Sequence, residues 1–285
     1  QVLPFDVFAN MRWLNPEGVI EEFADLLQLQ LDLRTEAKNL DRFNENFKHD
    51  ERVAFPKLIK AFEPHPQVLI ETFCEGEPVL KFLKEHSNDQ KLLSEMCLVG
   101  IRAVCQMLFQ DNFMHGDLHP GNVFINAKDH KFVLLDAGIA TEYSNSDHEL
   151  IVNILSSFIR ADGRKAGRFM IDDSNMRLKS NADMAVNETL YIDKIQALTN
   201  RANSKEYFME HLSVYLTYIC EAAAKHHVMM NQKFVTAALS IKVLEGISLA
   251  LDPSVEIWRV ANPIILKSEM NRKWSKGKEE LKNIM

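Results

Sequence analysis

The chain has 285 residues, of which 46% are hydrophobic, and it carries a formal net charge of -7 at pH 7. This length and apolar content are enough to bury one large core or two small ones. The acidic balance argues against nucleic-acid binding, because nucleic-acid-binding domains need clustered basic surface. The four cysteines show no Cys-x-x-Cys spacing and lie among apolar residues, so they are predicted to be buried free thiols in a reducing compartment.

The first element with a clear pattern is an amphipathic helix. Glu36 falls on its apolar face, where an unpaired charge is costly, so it is expected to have a cationic partner or, as the alternative, to reach solvent at the edge of the face. Asp32 lies one turn earlier and is expected to point in the same direction. Together with Glu36, the apolar positions recur at alternating steps of four and three. They are Leu29, Leu33, Leu40, Phe43 and Phe47.

Two short apolar runs follow the helix and are predicted to be paired strands. They cover residues 55–59 and 68–73 and are separated by the proline-containing segment 63–66. A second helical stripe then leads to the next motif, and it is interpreted as core packing. Its members are Leu98, Ile101, Cys105 and Leu108.

A hairpin is predicted near the middle of the chain. Residues 123–126 and 131–135 are short apolar runs, and the four residues between them are polar and turn-like. Asn122 comes directly before the first strand and Asp136 directly after the second. Because the start of one antiparallel strand lies beside the end of its partner, Asn122 and Asp136 are expected to meet at the open end of the hairpin.

The motifs that flank this hairpin are His115-Gly-Asp-Leu-His-Pro-Gly-Asn122 and Asp136-Ala-Gly138. Oxygen ligands from Asn122 and Asp136 suit Mg²⁺, which one or two protein oxygens usually hold together with substrate phosphates. Asp117 is near enough to orient or deprotonate an attacking hydroxyl. The spacing matches the catalytic loop and metal-binding aspartate of protein kinases. The alternatives are an ordinary turn or a loop of solvated or metal-binding histidines, and no chemical role is assigned to His119.

The region after residue 143 is predicted to be mostly helical. Ser144 and Ser146 offer N-caps to its first helix, and the longest helices are expected at 203–230 and 233–250. The last of these is interrupted by charged residues and is expected to be too polar to span a membrane. The tail from Lys267 has six Lys or Arg against three Glu, and it is expected to be a solvated helix end, with contact to an anionic membrane as the alternative.

These motifs resemble the AarF-domain-containing, UbiB-like family of atypical kinases, and in particular its animal mitochondrial members. The resemblance implies an α+β, protein-kinase-like fold that is mostly the helical C-lobe with an incomplete N-lobe. Residues 1–75 are then expected to form the partial N-lobe with its regulatory helix and hinge, and 76–285 the C-lobe. The segments that carry the resemblance are Gln30–Phe43, His115–Asn122, Leu134–Ile139 and Val243–Pro253.

The resemblance also implies roles for the residues of the two flanking motifs. Asp117, Asn122 and Asp136 are expected to be catalytic, with Asn122 and Asp136 as the magnesium ligands and Gly138 beside the nucleotide. Glu71 begins the segment expected to be the hinge between the lobes, whose backbone amides and carbonyls hold adenine. ATP and Mg²⁺ are therefore the implied cofactors.

Three residues of the amphipathic helix region are implied in nucleotide binding. Glu36 is expected to pair with a strand lysine that holds the α- and β-phosphates, as the inward-facing helix glutamate of kinases does. The family's Glu-x-Asp motif at the nucleotide site is represented by Gln30-Leu-Asp32, in which only Asp32 is charged. Only 35 residues precede Glu36, and they show neither a phosphate-covering loop nor a strand-lysine pattern. The chain is therefore expected to be amino-terminally incomplete and inactive alone.

The function implied by the resemblance is an atypical kinase or ATPase in mitochondrial coenzyme Q and lipid metabolism. The expected partners are a nucleotide, a lipid or quinone precursor, and a membrane surface. The short segment after Gly138 lacks Ala-Pro-Glu and leaves little room for an activation segment, which favours a lipid, a small molecule or water as phosphoryl acceptor. One alternative is a small-molecule phosphotransferase of the aminoglycoside or choline type. The other is a pseudokinase, in which nucleotide or lipid binding controls partners without phosphoryl transfer. Ala137 replaces the phenylalanine that sets active and inactive kinase states, which weakens any switch of that kind.

Overall fold

The computed structural model describes residues 31–177, 188–203 and 212–284, together with five helical residues between 17 and 24. Over these ranges it is a mixed helix and sheet structure that is mostly helical, as predicted. The helices are α1 Leu33–Asn46, α2 Val79–Glu85, α3 Gln90–Gln106 with a π-helical turn at Met107–Asp111, α4 Asn145–Ile159, α5 Gly163–Arg177, α6 Glu188–Asn203, α7 Leu212–His226, α8 Gln232–Leu251 and α9 Ile257–Ile284. The strands are β1 Val53–Ala54, β2 Glu77–Pro78, β3 Met114–His115, β4 Val123–Asn126, β5 Lys131–Leu134 and β6 Ala140–Thr141.

The predicted hairpin is the centre of a four-stranded sheet with the order β1-β5-β4-β2. Strands β4 and β5 pair antiparallel with Val123 opposite Leu134, so the second strand ends one residue earlier than predicted. Strand β1 joins β5 in parallel, and β2 joins β4 antiparallel. One strand of the sheet, β1, therefore comes before residue 75, the predicted lobe boundary, and the other three come after it. The division into two lobes stays a prediction.

The predicted pairing of residues 55–59 with 68–73 is present only in part. Thr72 N–H donates to the Lys57 carbonyl over 2.8 Å and Ile59 N–H to the Ile70 carbonyl over 3.1 Å, which is an antiparallel contact rather than two continuous strands. The strand in this region is instead β1, directly before Pro56. Proline has no N–H to donate to a ladder, which is consistent with the strand ending there.

Helix α1 confirms the amphipathic pattern, with Leu40, Phe43 and Phe47 buried. The ring of Phe43 stacks on Phe55 at a centroid distance of 4.9 Å and lies 4.6 Å from Phe113. This aromatic group joins α1 to the residue directly after β1 and to the residue directly before β3. Leu29, which was predicted to extend the same stripe, lies outside the described residues.

Helix α3 is the central core helix, and the predicted stripe is correct for three of its four members. Ile101, Cys105 and Leu108 are buried, whereas Leu98 is 38% exposed, so the prediction for Leu98 was wrong. The helix buries a broad face around Gly100, where an added Cβ would lie 2.7 Å from the ring of Phe132 in β5. Gly100 faces the hairpin, and Leu98 lies outside this buried face.

The carboxyl-terminal helices follow the sequence prediction except over residues 227–230, which were predicted to be helical and are not. Ser144 caps α4 by accepting the Asp147 N–H over 3.1 Å. Helix α8 extends by one residue at each end beyond the predicted range 233–250 and stops at Asp252. Part of the helix predicted at 203–230 is α7, and residues 204–211 between it and α6 lie outside the described ranges.

Within the part of the chain that the structure describes, two helices are long and apolar enough to cross a membrane by length and composition. In Gln90–Asp111, 72% of the apolar window is buried inside the fold, and in Gln232–Leu251 the share is 44%. The composition of Gln232–Leu251 meets this criterion, so the expectation that this helix is too polar to span a membrane was wrong. Buried core helices meet the same criterion, so the finding is only a weak indication of a span.

All four cysteines are free, as predicted. Cys97 and Cys105 are buried, whereas Cys74 and Cys220 are half-buried. Burial raises the pKa of the Cys105 thiol to about 12, so this side chain behaves as a small apolar residue.

Candidate active site

The two motifs that flank the hairpin are held side by side by a small second sheet. Strand β3 pairs antiparallel with β6, so that His115 lies opposite Ala140. Gly116 N–H continues this pairing by donating to the Ile139 carbonyl over 2.9 Å. A Cβ at position 116 would lie 2.5 Å from the Ile139 side chain. The contact explains why glycine stands where protein kinases have arginine, and local sequence patterns do not reveal it.

The open end of the hairpin brings Asn122 and the Asp136 segment together, as predicted from the strand pattern. The Leu135 N–H donates to the Asn122 carbonyl over 2.9 Å. The Asn122 side-chain amide donates to the Asp117 carbonyl over 3.1 Å, which draws the third motif residue to the same place. Asp136 has a φ of +55°, a left-handed conformation that is uncommon for residues other than glycine and recurs at functional sites.

The donor atoms left at this end of the hairpin fit a magnesium ion. Because Nδ2 of Asn122 is engaged by a carbonyl, Oδ1 remains available as a ligand. Asp136 accepts the Gly138 N–H at Oδ1 over 3.2 Å, and Oδ2 remains available. Among the described residues no group of three or more His, Cys, Asp and Glu can hold a metal. Mg²⁺ suits a sparse site of this kind because phosphates and water supply its other ligands.

Two further carboxylates, Glu36 and Glu71, are near enough to Asp136 for its charge to act on them. Burial, followed by the negative charges of Asp136 and Glu71, raises the pKa of Glu36 to about 7, although a backbone hydrogen bond from Ala137 opposes the shift. Burial and then Asp136 also raise the pKa of Glu71. No Lys or Arg in the described ranges forms an ion pair with Glu36. The negative charges of these groups raise one another's proton affinity, so a positive charge nearby would be favourable.

Helix α1 is fastened directly to the Asp136-Ala-Gly138 segment. The Asn39 side chain donates to the Ala137 carbonyl over 2.8 Å. Arg42 makes two bonds to the carboxylate of Glu142, of 2.6 and 2.7 Å, while its guanidinium lies 4.1 Å above the ring of Phe113. A bidentate pair of this type fixes orientation as well as charge. These contacts hold Glu36 beside Asp136.

Asp32 takes a different position from the one predicted. It is the extended N-cap of α1, and its carboxylate pairs with Arg34 at 2.6 Å. The hydrogen bonds from Arg34 lower the pKa of Asp32 to about 2. The expected one-turn relation to Glu36 fails because Asp32 precedes the first helical turn. Its role in nucleotide binding stays a prediction, as does that of Gln30, which lies outside the described residues.

The segment that begins at Glu71 leads from the carboxylate group to β2, as a hinge would. Gly76 has a φ of +152°, and an added Cβ would lie 3.2 Å from the Ile125 backbone. The chain therefore passes close to the hairpin at a position where a side chain would be strained. Adenine binding by this segment stays a prediction.

Two histidines of the first motif have structural contacts that the sequence did not reveal. His115 is buried, its Nε2 lies 3.0 Å from the Leu135 carbonyl, and burial lowers its pKa. It therefore ties the loop to the end of β5. His119 lies beside the catalytic candidate, with Nε2 3.7 Å from Oδ2 of Asp117. No periodicity signals either contact, because both depend on the turn of the loop.

Residues 4–170, more than half of the chain, match the model of the ABC1 atypical kinase-like domain. The chain belongs to this family. An ABC1 family protein of Saccharomyces cerevisiae, named as mitochondrial, is 28% identical over 90% of the chain and 46% of its own length. A protein of Histophilus somni named as a probable protein kinase UbiB is 25% identical over 87% of the chain and 44% of its own length. The predicted UbiB-like family is thereby confirmed.

A solved structure supports the same fold for this ABC1 family chain. A Mycobacterium tuberculosis protein, solved in complex with erythromycin, matches 87% of the chain and 61% of its own length with a TM-score of 0.56 and 18% identity. The chain spans less than half the length of the curated relatives named above. The ABC1 match ends within α5, so the later helices lie outside the matched range.

Proposed function

We propose that this ABC1 family chain contributes the catalytic loop and metal ligands of an atypical kinase or ATPase that binds Mg-ATP. The observation that carries the proposal is the convergence of Asn122 and Asp136 at the open end of the hairpin, each with an oxygen available to a metal. Asp117 lies beside them. Phosphoryl transfer of the kinase type uses an amide and a carboxylate as metal ligands and a second carboxylate as proton acceptor. Asn122, Asp136 and Asp117 supply these groups in that order.

Each residue then has a chemical task. Asn122 and Asp136 hold the ion that neutralises the phosphates, and Gly138 positions Asp136 through its N–H. Asp117 orients the acceptor hydroxyl or water. Glu36 recruits the cationic group that holds the α- and β-phosphates, which accounts for a carboxylate that has no cationic partner within the described ranges.

The biological setting is proposed from the relatives and from the shape of the chain after the site. Relatives in Saccharomyces cerevisiae and Schizosaccharomyces pombe are named as mitochondrial, so we place this protein in the mitochondrion. Between Gly138 and α4 the chain only forms β6 and the cap at Ser144, which leaves no extended segment to dock a protein. A lipid or quinone precursor, at or near a membrane surface, is the acceptor that this arrangement favours, in coenzyme Q or lipid metabolism.

The test is calorimetric binding of ATP and ADP, with and without Mg²⁺, to this chain and to a form extended to the length of its curated relatives. Asp136→Asn should weaken the Mg-dependent affinity by about 100-fold or more, because even supporting groups of a metal site contribute about 10–100-fold. Asp41→Asn is the matched control, since this carboxylate is exposed on α1. It should bind as the unmodified protein does.

The outcomes separate the candidate functions. Unchanged Mg-dependent affinity in Asp136→Asn would contradict the metal assignment. Binding without turnover of lipid, small-molecule or water acceptors would replace the kinase proposal with a pseudokinase. Turnover confined to soluble amino sugars or choline-like alcohols would favour the small-molecule phosphotransferase class.

A further inference from the structure

His119 is held in a fixed orientation between two other residues of the catalytic loop. Its Nδ1 accepts the Gly121 N–H over 3.0 Å. Its Nε2 faces the Asp117 carboxylate, 3.7 Å from Oδ2. The His119 carbonyl also accepts the Asn122 N–H over 2.9 Å, so the backbone of the same residue fixes the start of β4.

These contacts determine the tautomer of the neutral ring. A backbone N–H can only donate, so Nδ1 must be the unprotonated nitrogen that accepts it. In the neutral imidazole the proton is then on Nε2, the nitrogen that faces Asp117. The distance of 3.7 Å is longer than a direct hydrogen bond. Bonds between catalytic groups are often long before substrate binds and shorten in the reactive complex.

Gly121 is the residue that makes room for this ring. A Cβ added at Gly121 would lie 2.7 Å from Cε1 and 2.8 Å from Nδ1 of His119. A side chain there would displace the imidazole and its bond to the backbone. Position 121 therefore acts on the orientation of His119 without touching Asp117.

We propose that His119 is a positioning residue for Asp117, an inference that rests on the proposed phosphotransfer function. The Nε2–H of His119 holds the carboxylate so that its other oxygen faces the acceptor hydroxyl. In the reaction the acceptor oxygen bonds to the γ-phosphorus, the bond from that phosphorus to the bridging oxygen breaks, and ADP leaves with the electron pair. The hydroxyl proton passes to Asp117, and His119 keeps its own proton.

The exposure of the pair argues against a role in packing alone. The side chains of His119 and Asp117 are 49% and 41% exposed. Exposed ion pairs and hydrogen bonds contribute little to folding stability. A change at His119 should therefore lower turnover much more than it lowers stability.

The first test is the ¹⁵N spectrum of the His119 ring in this chain, recorded at a pH where the ring is neutral. The expected signature is a protonated Nε2 and an unprotonated Nδ1 whose ¹⁵N shift reports the hydrogen bond from the Gly121 N–H, and Gly121→Ala should remove that hydrogen-bond shift. A proton on Nδ1 in the unmodified chain would overturn the proposal. Because this measurement needs no turnover, it decides the arrangement of His119 even if the protein proves inactive and the proposed function fails.

The second test compares two amides at position 119 in the form of the protein that binds Mg-ATP. His119→Gln carries an N–H near the place of Nε2, whereas His119→Asn can reach only the place of Nδ1. We expect kcat to fall about tenfold or more in His119→Asn with nucleotide affinity unchanged, since residues that support a site contribute about 10–100-fold. His119→Gln should recover much of the loss. Equal turnover in the two variants, or a loss that lies wholly in nucleotide affinity, would contradict the proposal.

Discussion

The candidate site has two sides that are stabilised in different ways. The loop side is residues 115–122, and the acid side is Glu36 and Glu71. On the loop side, backbone and side-chain bonds within the described chain fix His115, Gly116 and Asn122. On the acid side, burial and mutual repulsion raise the pKa of both carboxylates. Asp136 belongs to both sides, because Gly138 binds it and its charge acts on Glu36.

The difference separates a part of the site whose geometry the fold sets by itself from a part that a cation would stabilise. Backbone hydrogen bonds give the loop side its geometry without any ligand. The acid side carries an electrostatic cost that a metal ion or a cationic side chain can relieve. The loop side is therefore expected to keep its structure when no nucleotide is bound, and the acid side to respond to pH and to cations.

The largest expected effect comes from removing the buried aromatic residue of α1 that lies next to the loop side. Phe43 stacks on Phe55, packs at a tilt against Phe113 and lies 6.1 Å from the His115 ring. Phe43→Ala should lower the free energy of unfolding by about 3–5 kcal/mol, because it leaves a cavity among buried rings. Chemical denaturation measures this change.

Phe73→Ala is the control for that substitution. Phe73 is 90% exposed, so its removal should change the free energy of unfolding by less than about 0.5 kcal/mol. Equal losses in the two variants would mean that Phe43 does not join α1 to the loop side as the ring contacts indicate.

The sequence was sufficient for features that depend on local periodicity. Two short apolar runs separated by a polar turn predicted β4 and β5, and the antiparallel rule then placed Asn122 beside the Asp136 segment. The helical stripe predicted the buried face of α1. One cap was also readable, because Ser144 is a side chain directly before the helix that it caps.

Features that depend on contacts distant in the chain could not be read in this way. The parallel pairing of Val53 with Phe132 joins segments far apart in sequence, and no local pattern records it. The fit of Gly116 against Ile139 is of the same kind. Asp32 was misplaced because helical spacing was extended one residue before the helix begins. The orientation of His119 depends on a turn whose geometry the pattern does not contain.

An intermediate effect is expected where α3 approaches the hairpin that supports the loop side. A Cβ at Gly100 would lie 2.7 Å from the Phe132 ring, so Gly100→Ala should lower the free energy of unfolding by about 1–3 kcal/mol through overpacking. Gly246→Ala is the matched control within helix α8, since nothing lies within 4 Å of its added Cβ. It should be neutral or stabilising by up to about 1 kcal/mol, because alanine favours helix more than glycine does. Destabilisation by both variants in thermal or chemical unfolding would contradict the close approach at Gly100.

The smallest expected effect is a pH dependence of folding stability that comes from the acid side and not from the loop side. The pKa of Glu36 is raised from 4.5 to about 7, so the folded state binds the proton more tightly than the unfolded state does. The stability that this proton contributes is complete below pH 4.5 and is lost as the pH rises through 7.

Glu36→Gln removes this dependence, because the amide stays neutral at every pH. Full burial would make the shift worth about 3 kcal/mol, and solvent at this half-buried group reduces that to about 1 kcal/mol at pH 8. The variant should therefore unfold at higher denaturant concentration than the unmodified chain at pH 8 and at nearly the same concentration at pH 4. Asp41→Asn, an exposed change on the same helix, should leave the pH dependence unaltered. If Glu36→Gln also left it unaltered, a cation within the protein would already compensate Glu36, and the acid side would be as self-sufficient as the loop side.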